Sequence, residues 1–230
     1  MRPVVDIISD VITAMKPDIR GFSTAVGGAT VTVGAIDASV INLLYVGERM
    51  KLTYSGGYVY GVIASIGVDS FVVTLETSQT GSPSAIEVVL NYEYGNYEIV
   101  VARFNEMSQN PTYKHEMFPA IVLFQPFEET VENDGDNRLV TLNLVILTDS
   151  SQDYSYADRY TYNFKVRLYP LEDLFVSRLK ATDEFTVDFT AGYTRTDLPG
   201  KLLDKREPLF NDFIDCIEWK NLKLKIYNVC

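Results

Sequence analysis

The sequence predicts an α+β fold in two parts. A mixed or antiparallel sheet flanked by helices is expected over residues 1–24 and 95–230, and a small all-β barrel over 25–94 is inserted into it. Three observations carry this expectation. Apolar residues recur at helical spacing at the start of the chain and again after Tyr97. Between those stretches, from about Ala25 to Asn91, Gly and small residues rise, charge thins out and every periodic run has period two. After Phe118, apolar strands alternate with one long helical stretch.

Each element has its own signature. Val4, Ile7, Ile8, Val11, Ile12 and Met15 share one helical face, with Asp6, Asp10 and Lys16 between them, and Pro17 ends the run. In the middle unit, strands are expected at Thr30 to Val33, Glu48 to Tyr54, Tyr58 to Ile66, Phe71 to Leu75 and Ile86 to Tyr92, joined by Gly-containing turns. Five short strands with tight turns suggest a small barrel. From Tyr97 a helix is expected with Ile99, Val100, Phe104 and Met107 facing one way, until Asn110-Pro111 stops it. Phe118 to Phe124 is a nearly continuous apolar run, as in a strand covered on both faces, and Arg138 to Thr148 is its partner. Asp153 to Lys180 reads as helical, with a kink or a break at Pro170, which lacks an N–H and clashes with the preceding turn. A half-exposed strand over Phe185, Val187 and Phe189, a loop from Ala191 to Lys205 and a short helix from Pro208 lead to a closing strand near Cys216 to Tyr227. The apolar parity of that last strand changes between Trp219 and Leu222, which places a bulge near Lys220-Asn221.

Composition excludes several classes. The chain has 230 residues, 47% of them hydrophobic, and no low-complexity tract, so it can bury a core and is not a disordered or fibrous sequence. Twenty Lys and Arg against 31 Asp and Glu give a net charge of −11, the wrong sign for gripping phosphate over a broad surface. The same sign suits a sleeve through which DNA slides without sticking. The longest apolar run, Ala120 to Phe124, is far below the roughly 20 residues of a bilayer span. The opening Met1-Arg2-Pro3-Val4-Val5-Asp6 lacks the apolar core of a secretory signal, so synthesis in the cytoplasm and no membrane partner are expected. Cys216 in an apolar stretch and Cys230 at the end make no disulfide framework.

The motifs of common chemistry are missing. No nucleophile elbow, HExxH pair, Cys-x-x-Cys pair, P-loop or dinucleotide-binding Gly motif occurs, and the one histidine, His115, has no partner singled out by sequence. No catalytic residue, cofactor or metal is therefore assigned, and the chain is expected not to be an enzyme. Glu132-Asn133-Asp134-Gly135-Asp136-Asn137 carries alternating acids, but its Gly is misplaced for a calcium loop, and a solvated hairpin tip explains it better. Tyr154, Tyr156, Tyr160 and Tyr162 lack basic neighbours in excess and read as packing or interface residues. Two charged groups stand out as a candidate subunit interface. One is the acidic hairpin with Glu128, Glu129, Glu132, Asp134 and Asp136. The other is the basic closing strand with Lys220, Lys223 and Lys225.

The strand Phe118-Pro119-Ala120-Ile121-Val122-Leu123-Phe124, the acidic hairpin, the partner strand Leu139 to Leu147, the helix bearing Tyr169-Pro170-Leu171 and the closing Asn221-Leu222-Lys223-Leu224-Lys225-Ile226 resemble tail terminator or tail completion proteins of tailed bacteriophages. The resemblance covers roughly residues 1–22 and 95–230. The middle unit, with Val46-Gly47-Glu48-Arg49-Met50-Lys51-Leu52, is similar to small barrels that decorate phage structural proteins. The resemblance implies a virion structural protein that forms a homo-oligomeric ring, commonly hexameric, at the head–tail neck. The ring would cap the tail tube, contact tail tube protein and the head–tail connector, and pass DNA through its lumen without sequence-specific binding. Two other classes remain: a tail or baseplate binding protein whose insert uses Tyr54, Tyr58 and Tyr60 on a glycan or protein partner, and an enzyme with a site around His115.

Overall fold

The computed structural model describes residues 2–110, 113–131, 137–183, 185–187, 192–199 and 213–227. The chain is α+β and divides into two compact units, Met15–Leu90 and the pair of segments Met1–Ala14 and Asn91–Cys230.

The Met15–Leu90 unit is one antiparallel sheet. Its strands are β1 (Ser23–Val26), β2 (Thr30–Gly34), β3 (Arg49–Tyr54), β4 (Gly57–Ile66), β5 (Phe71–Leu75) and β6 (Ala85–Val88), with a single helical turn, α2 (Ala38–Ile41), after β2. The spatial order is β1-β2-β5-β4-β3-β6. Cross-strand register explains the core: Met50 lies beside Val88, Leu52 beside Ile86, Val31 beside Val73 and Val33 beside Phe71, so one face of the sheet is continuously apolar and buried. Gly61, opposite Met50, shares that face, and a Cβ there would lie 2.6 Å from the Thr74 carbonyl oxygen, so the position has no room for a side chain. Closure into the expected barrel is not seen, because β1 and β6 stand at opposite ends of the ladder. Period-two sequence fixes strands and faces but not whether the first strand meets the last. The expected strand from Ile86 to Tyr92 is also divided, ending at Val88 in this sheet and resuming at Asn91 in the other. Strand β1 and the turn α2 have no clear sequence signature.

The second unit opens with α1 (Val4–Thr13), whose Val4, Ile7, Ile8, Val11 and Ile12 are buried as their spacing predicts. After β7 (Asn91–Gly95) come α3 (Tyr97–Gln109), a 3₁₀ turn at Lys114–Glu116, β8 (Ala120–Val131) and β9 (Asn137–Asp149). A continuous helical stretch follows as α4 (Tyr156–Arg159), a π-helix (Tyr160–Leu168) and α5 (Tyr169–Ala181), then β10 (Phe185–Val187), β11 (Thr194–Leu198) and β12 (Ile214–Tyr227). The sheet runs β10-β12-β9-β8-β7, with β11 also on β12. Among the described strands only β7 and β8, joined through α3, are parallel.

Asn96 caps α3 by accepting from the Ile99 N–H, and the helix buries Val100 and Phe104 while Ile99 is 52% exposed. Ile99 is therefore displaced from the expected face, since residues 97, 100, 104 and 107 form the inward stripe. The expected interruption at Pro170 takes the form of a π-helix that ends just before it. A regular α-turn would drive the proline ring against the Val166 carbonyl, and the widened turn instead runs its last bond from Tyr169 N–H to the Phe164 oxygen. The wider period also brings Arg159, Asn163, Phe164 and Leu168 to one buried face. The expected loop after Ala191 contains strand β11, whose Thr-Arg-Thr-Asp-Leu has no apolar alternation and is held by backbone pairing to β12. The expected helix from Pro208 lies almost entirely outside the described residues; at 214 the chain is already in β12.

Two buried polar clusters fasten the long helix to this sheet. Asp215 has no exposed surface and accepts from Arg159 Nη1 at 3.1 Å, Asn163 Nδ2 at 2.5 Å and Ser150 Oγ at 2.7 Å. Glu172, 7% exposed, accepts from Arg195 Nε and Nη2 at 2.7 Å each and from Trp219 Nε1 at 2.7 Å. Both carboxylates are fully matched by donors, which is what makes burial of their charge tolerable.

Two predictions follow from these buried groups. Arg159→Met leaves Asp215 charged and buried and should cost about 3–5 kcal/mol in urea unfolding, whereas Arg159→Met combined with Asp215→Leu should recover most of that loss. In the other unit, Glu48 is 2% exposed and its Oε2 has no hydrogen-bond partner. Burial pushes its carboxyl well above the ordinary value of 4.5, against a weaker opposing hydrogen bond with the Tyr45 backbone. The folded unit keeps a proton that the unfolded chain loses above that pH, so stability should fall as pH rises from there towards the folded pKa. Calorimetry between pH 5 and pH 8 should show this decline, and Glu48→Gln should flatten it.

Candidate functional site

The open part of the second sheet lies around the middle of β9. Along that strand Arg138, Val140, Leu142 and Leu144 are buried, while Asn137, Leu139, Thr141 and Asn143 are half-exposed. Helix α3 covers the half-exposed side only towards the other end of the strand, where Val100 and Phe104 cluster with Val122, Val145, Leu147 and Cys216. Cross-strand register then sets Glu128, Thr141 and Lys223 in one row, and Thr130, Leu139 and Lys225 in the next.

This geometry separates residues that the sequence groups together. Glu128 lies on the open side, and among the described residues neither it nor Lys223 forms an ion pair; they stand two strands apart, about 10 Å. Glu129 has the opposite parity and pairs at 3.0 Å with the nearly buried Arg138, whose Nη2 also donates to the Arg2 carbonyl at 2.6 Å. Lys220 pairs with Glu218 at 2.9 Å, and Lys225 lies in the second row. Glu132, Asp134 and Asp136 lie outside the described residues, as does most of the acidic turn considered for a cation. β7 pairs with β8 only from Ala120 to Phe124, so the outer edge of β8 from Gln125 to Val131 is unpaired among the described residues.

On both sides of Asn143 the ladder is irregular. Between Trp219 and Leu222, β12 carries one extra residue, with Asn221 at φ 61°, and between Phe124 and Glu128, β8 carries two. The β12 bulge keeps Leu222, Leu224 and Ile226 buried after Ile217 and Trp219, and so resolves the parity change visible in the sequence. Asn143 Oδ1 accepts from the Asn221 N–H at 3.0 Å, satisfying a donor that the bulge withdraws from the ladder. A groove of about 430 Å³ opens over this point. Its walls include the stacked rings of Tyr97 and Phe124, with centroids 6.4 Å apart, and the amides of Gln125, Asn143 and Asn221. These residues share no sequence pattern, because they gather from α3, β8, β9 and β12; the parity change at 219–222 is the one sequence signal near them.

Other chemical groups are committed elsewhere. Cys216 is buried and its thiol is pushed up to about 12, first by desolvation and then by neighbouring carboxylates, so it is no nucleophile at neutral pH. Tyr160 and Tyr169 both donate to Asp197 Oδ2, at 3.0 and 2.6 Å, and burial ahead of that contact holds the Tyr169 phenol well above its ordinary value. Tyr154, Tyr156 and Tyr162 are exposed at 37%, 65% and 53%, so of the tyrosine cluster only Tyr160 is held by the core network. His115 is exposed on the 3₁₀ turn. Among the described residues no three His, Cys, Asp or Glu side chains gather as a metal site, and no helix is long and apolar enough to cross a membrane. In the Met15–Leu90 unit, Tyr58 and Tyr60 share one face, where Lys51 lies over the Tyr58 ring. Tyr60 is only 4% exposed and Tyr54 belongs to the opposite face, so the three tyrosines form no common platform.

No protein-family model matches the chain, and no curated protein matches it.

If Asn143 holds the β12 bulge as its geometry implies, Asn143→Ala should cost about 0.5–1.5 kcal/mol in chemical denaturation through the lost bond to the Asn221 N–H. Asn221→Ala should cost about 1 kcal/mol through backbone strain at positive φ, and Asn221→Gly should be neutral or stabilising.

Proposed function

We propose that the chain is a virion structural subunit that assembles into a ring at the head–tail neck of a tailed bacteriophage, where it caps the tail tube and joins it to the head connector. The resemblance of residues 1–22 and 95–230 to tail terminator and tail completion proteins supplies the identity of the assembly. The observation that carries the reading at the level of physics is the open side of the second sheet, with Glu128 on β8 and Lys223 and Lys225 on β12. A ring needs two unlike patches on each copy that meet head to tail. The unpaired outer edge of β8 with Glu128 supplies one, and the β12 side of the sheet supplies the other. Of the described residues proposed for this contact, Glu129 and Lys220 are already in ion pairs, whereas Glu128 and Lys223 form none among the described residues, so theirs are charges a neighbour can use. The net charge of −11 agrees with a lumen that lets DNA pass without holding it.

The test is mass in solution by light scattering over a concentration series, alone and with tail tube protein, followed by negative-stain imaging. Rings are expected in at least one condition, and a chain that stays monomeric in all of them overturns the reading. Glu128→Lys and Lys223→Glu should each reduce assembly at moderate salt, and the double variant should restore it, since the swapped charges again attract.

A further inference from the structure

The geometry points to a neutral carbohydrate site in the groove beside Asn143, a function additional to ring assembly that shares Gln125 and Lys220 with the surfaces proposed for it. Its volume of about 430 Å³ falls within the roughly 300–1,000 Å³ of small-molecule sites.

The lining selects the ligand class. Tyr97 and Phe124 present stacked, half-buried rings, an apolar surface of the kind on which the C–H face of a pyranose ring packs. Around them stand planar amides that donate and accept in the same plane, as vicinal hydroxyls require. Gln125 and Asn221 are exposed, and Asn143 has spent its oxygen on the Asn221 N–H but keeps its Nδ2. Charge argues for a neutral ligand, because Glu218 and Lys220, the two ionised groups in the lining, are paired with each other at 2.9 Å. A phosphate or carboxylate ligand would have to break that pair.

An extended peptide fits the same chemistry less well. Peptides gain most of their affinity on a sheet by adding a strand at a free edge. The groove instead lies over β9, an inner strand flanked by β8 and β12 and so no free edge. Recognition there must come from side chains, and the side chains present suit hydroxyls over a ring. The double bulge is the device that makes room. Irregularities opposite two neighbouring residues of a central strand, Asn143 and Leu142, take Asn221 and Gln125 out of the ladder, and both line the groove.

The experiment is saturation-transfer NMR on the full chain with a panel of neutral methyl pyranosides and with maltotriose, cellotriose and chitotriose. The neutral tripeptide N-acetyl-Ala-Tyr-Gly-amide serves as the competing ligand class. Transfer to at least one sugar is expected. Asn221→Gly keeps the positive-φ backbone and the N–H bonded to Asn143 while removing the amide, so it should leave folding intact and weaken that sugar by about three- to tenfold. Gln125→Ala should weaken it to a similar extent. Silence across all the sugars, transfer to the tripeptide alone, or a sugar signal unchanged in both variants would each overturn the assignment. The spectra are recorded at a concentration where light scattering shows a monomer, so that a lost sugar signal reports on the groove and a lost ring reports on the assembly reading.

Discussion

Asp215 sits with no exposed surface on the strand that pairs with both β9 and β11, and a bare carboxylate in that position would not survive folding. Three side chains donate to it. Arg159 arrives from the end of α4, Asn163 from the π-helix and Ser150 from the end of β9. Because these donors come from separate elements, the ion pair fixes where the helix lies on the sheet as well as how far it is turned. The Glu172 cluster repeats the arrangement further along the helix, using Arg195 of β11 and the indole N–H of Trp219. Helix, closing strand and the short β11 are thereby held by directional bonds in addition to apolar packing, and a slip of one residue would strand two buried charges at once.

That rigidity on the covered side of the sheet contrasts with the other side, where irregular backbone is concentrated. β9 runs as a regular strand between two neighbours that each break register near Asn143. Bulges increase twist and re-aim side chains. Here they allow β12 to keep its apolar residues buried above and below the bulge, and they leave a groove on the opposite side. The polar rows that follow, with Glu128 and Lys223 flanking Thr141, are a consequence of the same registers. One structural feature therefore sets both the packed side and the surface available to partners.

Much of this was legible in the sequence because it depends on local spacing. The inward stripe of α1, the covered strand at 118–124, the interruption near Pro170 and the bulge near Lys220-Asn221 all follow from periodicity or from proline stereochemistry, which neighbours in the chain impose. Strand β11 was not legible, since Thr-Arg-Thr-Asp-Leu is a strand only because β12 supplies its backbone partners. The division of Glu128 from Glu129 could be expected from alternation, but which of them meets a cation depended on where Arg138 lay. The groove residues were invisible for a related reason: Tyr97, Phe124, Gln125, Asn143 and Asn221 are separated by up to 124 positions and share no pattern.

The sequence by itself determined an α+β chain with a separate β-rich stretch, a net negative charge and no recognised catalytic motif, because composition and period are properties of the chain alone. Tertiary structure decided the rest. It arranged six strands of the middle unit in an open order rather than a closed barrel, turned the Pro170 interruption into a π-helix, and brought distant amides and rings together beside Asn143. These outcomes depend on which strands pair and in what register, and that is settled by the simultaneous burial of many apolar side chains and a few fully matched charges, a constraint that no single segment carries.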